Sequence, residues 1–470
     1  MMRITKYSLL LLTFITAMTS CKKSFLELTS PTQLLPEQAL ATESDLQVAL
    51  RGVYASFRAA DFYGRTVPVV GDMLADNSYL SVQNTNRYTL FNNYTFNITD
   101  GNISGLWTAA YNTILRANNI INSPLTGTTN ISQYKGEAYA CRALAYFTLV
   151  RYFARPFTDN PTTNLGVPLI TTYNPDLKPT RATVQAVYDL IVADLNNAFS
   201  MMAAATFTNS SQFSKYSAKG LLAKVYLTMG DKTNAKAAAL DVIANGGFVP
   251  VTAANYVAYW QNPTIATAKG ETMLEISSDA VNNLAFDALP YIYTQAGNYG
   301  DILNADALYA LFATTDVRRN LYPTGVRGGV PSVFVEKYPS ILADRSDTKV
   351  LRLSEMYLIA AEASLPGNEL DALTYVNFIT GRRNAAPIAS TGAQLLEDVL
   401  TERRKELAFE GDRYMDLQRL KRDVNRNNST GNYPPAALTL PYSDTRRLFP
   451  IPQGEINANE NIRSQQNPGY

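Results

Sequence analysis

Apolar positions along this chain recur mainly at the spacing of an amphipathic helix. Val184, Tyr188, Ile191, Leu195 and Phe199 fall on one stripe of a 3.6-residue period. Thr183 stands where an N-cap side chain would accept from the first turn. Leu221, Leu222, Val225, Tyr226 and Met229 mark a second helix, broken by Gly230-Asp231. Its partner carries Ala235, Ala238, Ala239, Val242 and Ile243 and stops at Gly246-Gly247. The same design returns at Leu353, Met356, Tyr357, Ala360 and Ala361, turns at Pro366-Gly367, and resumes with Ala372, Tyr375, Val376 and Ile379. Further helices are expected over 45–58, 106–121 and 134–153.

Helix hairpins with alanine at the seam resemble tetratricopeptide repeats, though their spacing is irregular. The expectation is a mainly α protein: a tetratricopeptide-like scaffold of about four helix pairs, with long irregular regions and a few short strands. Residues 62–105, 156–179 and 248–350 show no helical period and are rich in Gly, Pro, Asn, Asp and Thr. Thr272-Met273-Leu274-Glu275-Ile276 reads as one such strand. Long loops inside a compact domain are commonly functional, and the aromatic content argues against disorder.

The start of the chain reads as an address. Arg3 and Lys6 precede an apolar run from Tyr7 to Met18, too short to span a bilayer, and Thr19-Ser20 precede Cys21. This pattern fits a bacterial lipoprotein signal cleaved before Cys21, whose thiol takes the lipid. The organisation expected is a signal over 1–20, a lipidated tether over 21–42, and a helical region over 43–247 with a ligand-loop insert at 62–105. A loop-rich ligand-binding region over 248–350 and a closing helical region over 351–470 follow.

Composition removes several chemistries. There is no histidine and only two cysteines, Cys21 and Cys141. His-based zinc sites, Ser-His-Asp triads, thiolate metal sites and disulfide frameworks are therefore excluded. No cofactor, metal site or catalytic residue is expected. A net charge of +1 argues against nucleic acid as a partner. Carboxylate-only glycoside hydrolysis survives this filter, with Asp72 and Asp76 as the pair to examine.

The segment 79–96 holds five aromatics, Tyr79, Tyr88, Phe91, Tyr94 and Phe96, in eighteen residues. Amides and Arg87 surround them, and Asp72, Asp76 and Asn77 precede them. Sugars present an apolar ring face and a rim of hydroxyls, so their sites pair flat aromatics with amides, carboxylates and arginines. Tyr291, Tyr293 and Tyr299, with Gln295 and Asp301, form a second such stretch. Arg87, Arg318, Arg319 and Arg327 could instead pair with the carboxylates of a peptide. Of the two tryptophans, Trp107 is expected in the core and Trp260 in a turn. The densest charge run, 400–422, reads as structural: Arg403–Glu406, Glu410–Arg413 and Asp416–Arg419 have i,i+3 spacing, beside an apolar face of Leu400, Leu407, Tyr414, Leu417 and Leu420.

At this run the chain resembles the SusD/RagB family of surface nutrient-binding lipoproteins. The resemblance starts at "CKKSFLEL" and continues through "LWTAAYNTILRANNII", "RALAYFTLVRYF" and "VYDLIVADL". It runs on through "ERRKELAFEGDRYMDLQRLKR" to "LFPIPQGEINANENIRSQQNPGY". It implies a helical scaffold with an irregular binding face, binding without cleavage, and glycan as the usual ligand, with peptide as a variant. It also implies a SusC-like, TonB-dependent outer-membrane transporter as partner, and outer-membrane anchoring through the lipid.

Overall fold

The structure, a computed structural model, describes residues 39–203, 209–261, 270–297, 299–339, 341, 347–427 and 431–470. The signal, Cys21 and most of the tether lie outside the described residues.

Eight helices form the scaffold: Glu43–Phe57, Gly101–Ile121, Thr129–Phe153, Val184–Met201, Lys215–Met229, Lys232–Asn245, Leu353–Ala363 and Glu369–Arg382. Each packs on the next along this series, which gives the four expected pairs. Thr183 caps its helix by accepting from Ala186 N at 3.2 Å. Gly230, at φ +81°, closes Lys215–Met229. Two helices start five residues before their apolar stripes, because Asp100 and Thr128 cap polar first turns that carry no periodic signal.

The irregular stretches are more ordered than their patterns suggest. Within 62–105 lie the helices Thr66–Met73 and Thr89–Asn93 and the strand Ser78–Leu80. Every residue of Thr66–Met73 is buried, so no wet face exists to produce an amphipathic period. Trp260 sits in the helix Ala253–Gln261 and is 5% exposed, not in a turn. Thr272–Ile276 is a strand as expected, antiparallel to Thr348–Arg352. A four-stranded antiparallel sheet runs Ser78–Leu80, Ile302–Asn304, Val330–Val333, Thr324–Arg327. Its register, Ser78 opposite Asn304 and Leu80 opposite Ile302, sutures the first irregular stretch to the second.

The buried Thr66–Met73 helix meets the 409–412 turn at very close range. A Cβ on Gly71 would lie 2.0 Å from the carbonyl oxygen of Gly411, and one on Gly411 would lie 2.9 Å from Pro68 Cα. Both obstacles are backbone and cannot swing aside. Gly71→Ala is therefore expected to destabilise the fold by about 3 kcal/mol or more, at the upper end for overpacking. Urea unfolding measures it, and a loss under about 1 kcal/mol would mean the two segments separate easily.

The 400–422 charges are structural, but their pairing differs from the local one expected. Only Asp416–Arg419 forms, at 2.8 Å. Glu406 instead meets Arg318, Arg352 and Arg383 at 3.0, 2.9 and 2.9 Å. Glu410 meets Lys337 and Arg352, Arg403 meets Glu355 and Asp416, and Arg413 meets Asp76. These groups are buried, and in the interior a charge takes whichever partner the tertiary fold supplies. Arg318 is 1% exposed within this cluster, which removes it from the arginines available to a peptide.

Candidate functional site

The sheet register brings the two aromatic stretches together, but divides their residues into a buried set and a surface set. Asp72, fully buried, accepts from Asn77 Nδ2 at 2.6 Å and Gly411 N at 2.8 Å. Asn77 is equally buried, and its Oδ1 accepts from Arg404 Nε at 2.8 Å. Asp76 is held by Arg413 at 2.7 Å and Arg404 at 3.3 Å. Burial alone would raise Asp76, yet these two guanidiniums bring its carboxyl down to about 2. Both aspartates are spent on the fold, which corrects their assignment as hydroxyl partners and as a hydrolytic pair.

Tyr88, Tyr94 and Tyr293 are likewise core residues, not platforms. Tyr88 and Tyr94 have φ of +61° and +55° and bracket the short Thr89–Asn93 helix, a kink that turns both rings inward. The Tyr88 hydroxyl accepts from Arg65 Nε at 2.8 Å, and the Tyr94 hydroxyl donates to the carbonyl of Leu74. Tyr293 has no exposure and stacks on Tyr338 with centroids 6.0 Å apart. Trp260 is also internal, with Lys337 Nζ 3.9 Å from its ring centroid.

Burial pushes the Asp72 carboxyl up to about 6, above its ordinary 3.8, with the bonds from Asn77 and Gly411 opposing the rise. A raised carboxyl binds its proton more tightly when folded. Its contribution to stability is therefore full below about 3.8 and lost as pH rises through about 6. Between those limits the loss is on the order of 3 kcal/mol. Asp72→Asn should flatten that segment of the stability–pH curve, and an unchanged slope would assign it to other groups.

Arg87, Tyr291 and Tyr299 stay half-exposed and form the surface set. Arg87 Nη1 donates to Asp287 at 2.8 Å, its Nη2 donates to the Tyr299 hydroxyl at 3.1 Å, and its guanidinium lies 4.3 Å from the Tyr299 ring centroid. Arg65 donates to the same Asp287 oxygen at 2.7 Å. The hydrogen bond from Arg87, aided by Arg65, holds the Asp287 carboxyl below its ordinary range. Phe286, 55% exposed, stands edge-on to Tyr291 with centroids 5.3 Å apart. The Tyr291 hydroxyl donates to the carbonyl of Ile341 at 3.1 Å, which fixes the ring.

Tyr79 takes a third position. Its ring is 7% exposed but lines a cavity of about 240 Å³ with Val82, Leu303, Arg327, Val330 and Ser332. Arg327 clasps the wall, donating from Nη1 to Gln295 Oε1 at 2.8 Å and from Nε to the Gln83 carbonyl at 3.0 Å. The face thus offers three anchored rings, a guanidinium and a carboxylate beside a small cavity, a set suited to sugar rings and their hydroxyls. Phe286 and Asp287 were missed from sequence. The signal available was a phenylalanine beside an aspartate in "NNLAFD", a segment without helical period. Among the described residues no group of His, Cys, Asp or Glu could hold a metal ion, and no helix is long and apolar enough to cross a membrane.

Comparison with known proteins agrees with this architecture. Residues 24–227 match a SusD-like family described as starch-binding and associating with the outer membrane, and residues 293–470 match the SusD family itself. SusD-like protein P2 of Formosa agariphila is 28% identical over 504 residues, covering 93% of this chain and 94% of that one. A SusD superfamily protein from Bacteroides thetaiotaomicron is 29% identical with a TM-score of 0.82, covering 91% of this chain and 100% of the other. A second, from Bacteroides vulgatus, is 28% identical with a TM-score of 0.83, covering 91% and 99%. Scaffold, the two matched segments and whole-chain likeness thus agree: this chain belongs to the SusD/RagB family.

Proposed function

We propose that this chain is a cell-surface lipoprotein that captures a glycan or oligosaccharide and passes it to a SusC-like, TonB-dependent transporter of the outer membrane. The observation that carries the reading is the exposed face of Phe286, Tyr291 and Tyr299 around the Arg87–Asp287 pair. Rings held by their own hydroxyls and neighbours stack on a sugar at little entropic cost, since they are already ordered. The family description, starch-binding and associating with the outer membrane, supports both the ligand class and the location. The basic start, the short apolar run and Cys21 support attachment by lipid.

The reading is of a binder and not of an enzyme. The two aspartates that sequence offered as a hydrolytic pair are committed to Asn77, Gly411, Arg404 and Arg413. Isothermal titration of the purified full chain against neutral oligosaccharide pools and peptide pools tests the ligand class. Binding of an oligosaccharide that chromatography recovers uncleaved after long incubation is expected. Binding confined to peptides, or cleavage of the bound glycan, would overturn the reading.

A further inference from the structure

Many inward-facing arginines of this protein have a carboxylate, as Arg318, Arg352, Arg383, Arg403 and Arg419 show, and Arg181 and Arg426 are held by several carbonyls instead. The first scaffold helix breaks that habit. Arg51 and Arg58, with Tyr54 between them, occupy one face at i, i+3 and i+7 along Glu43–Phe57 and its C-cap. Together they line a cavity of about 210 Å³, closed opposite by Gln212, Glu275 and Ser277. Arg51 is exposed and has no ion pair among the described residues. Arg58 donates from Nη1 to the carbonyl of Asn282 at 3.1 Å, while its Nε is buried without an acceptor among the described residues. A buried guanidinium N–H lacking an acceptor is a donor that the fold leaves for something else.

The remaining walls are already spoken for. The Tyr54 hydroxyl donates to Glu137 at 2.6 Å and accepts from Phe213 N at 2.8 Å, so the floor is fixed and does not compete for the arginines. Glu275 is the one negative group in the wall, and it accepts from the Ser210 hydroxyl at 2.6 Å. Two guanidiniums meet one carboxylate in the wall itself, while Asp279 acts on Arg58 from outside it. Guanidinium forks match planar carboxylates and tetrahedral oxyanions, and the exposed Arg51 fork on the cavity wall, unpaired among the described residues, is completed by such a group.

We propose that this cavity is a subsite for a small oxyanion, the carboxylate or sulfate group of an acidic ligand. The assignment is independent of the aromatic face and of whatever that face binds. The cavity is open and screened by salt, so affinity for an isolated anion is weak, with Kd on the order of 1 mM.

The test is isothermal titration of the full chain with sodium sulfate and with sodium galacturonate, at ionic strength matched by sodium chloride, with galactose as the neutral control. Saturable binding of at least one anion is expected, weakened about tenfold by Arg58→Gln and lost in the Arg51→Gln, Arg58→Gln double variant. Sulfate alone binding assigns the site to a sulfate ester, and galacturonate alone to a sugar carboxylate. Arg51→Gln changes only an exposed side chain and guards against misfolding: it too must weaken binding. Binding of neither anion overturns the proposal. So does equal binding of galactose, or anion affinity that either Arg51→Gln or the folded double variant leaves unchanged.

Discussion

Glu406→Gln is expected to cost about 3 to 5 kcal/mol of folding free energy, the usual loss when one member of a buried ion cluster is removed. Glu406 has no exposure, and its carboxylate is the shared acceptor of Arg318, Arg352 and Arg383, at 2.9–3.0 Å. Arg352 and Arg383 also share Glu271, at 2.6 and 3.0 Å, so the cluster ties the Thr348–Arg352 strand, the Glu369–Arg382 helix end and the Gly392–Glu406 helix together. Glutamine keeps the shape but removes the charge and one acceptor, leaving three desolvated guanidiniums with less than they need. Burial alone would raise this carboxyl, yet the three arginines hold it well below the usual carboxylate range. Its stabilisation is therefore present above about 4.5 and is lost only as pH falls through the depressed value. In urea the midpoint should drop with an unchanged slope. The folded fraction should bind ligand with normal affinity, because the cluster lies inside the scaffold. A loss below about 1 kcal/mol would show that the cluster is dispensable.

The scaffold was legible because its helices have one dry and one wet face, and that contrast is what periodicity records. Val184, Tyr188, Ile191 and Leu195 are all buried on the helix that their spacing predicts. Thr66–Met73 was illegible for the opposite reason: it is dry on every side. The charge run was correctly read as structural, but the i,i+3 rule describes helix surfaces. Here Glu406 meets an arginine 88 positions away and Arg404 meets Asn77 across 327 positions. Such pairs have no local signature.

The aromatic stretches raised a subtler problem. Composition marked two segments that the Ser78–Leu80 and Ile302–Asn304 strands join. It could not say which ring of each faces water. That choice was made by a positive φ at Tyr88 and Tyr94 and by the turn of the short Leu289–Tyr293 helix, which buries Tyr293 and leaves Tyr291 half-exposed. An irregular backbone has no period, so alternation between inside and outside leaves no trace in the sequence.

Tyr299→Ala should weaken ligand binding by about 2 kcal/mol or more, some thirtyfold in Kd, while leaving the protein folded. Tyr299 is half-exposed, so its ring contributes little to the core, yet it is held in place on one side by Arg87 at 4.3 Å. Removing it deletes a ring surface and also frees the Arg87 fork, which then reorients toward Asp287 alone. Tyr291→Ala and Phe286→Ala remove the two rings that stand edge-on to each other and should act in the same direction. The smaller effect is expected at Phe286, whose 55% exposure gives it less support from neighbours. Tyr293→Ala is the contrasting change: with no exposed surface it should cost about 3 to 5 kcal/mol of stability, as buried aromatic truncations do, and leave the affinity of the surviving folded protein intact. Thermal melts and titrations on the same four variants separate the two outcomes. Should Phe286→Ala, Tyr291→Ala and Tyr299→Ala all bind normally while folded, the ligand sits elsewhere and these rings merely close the loops over the scaffold.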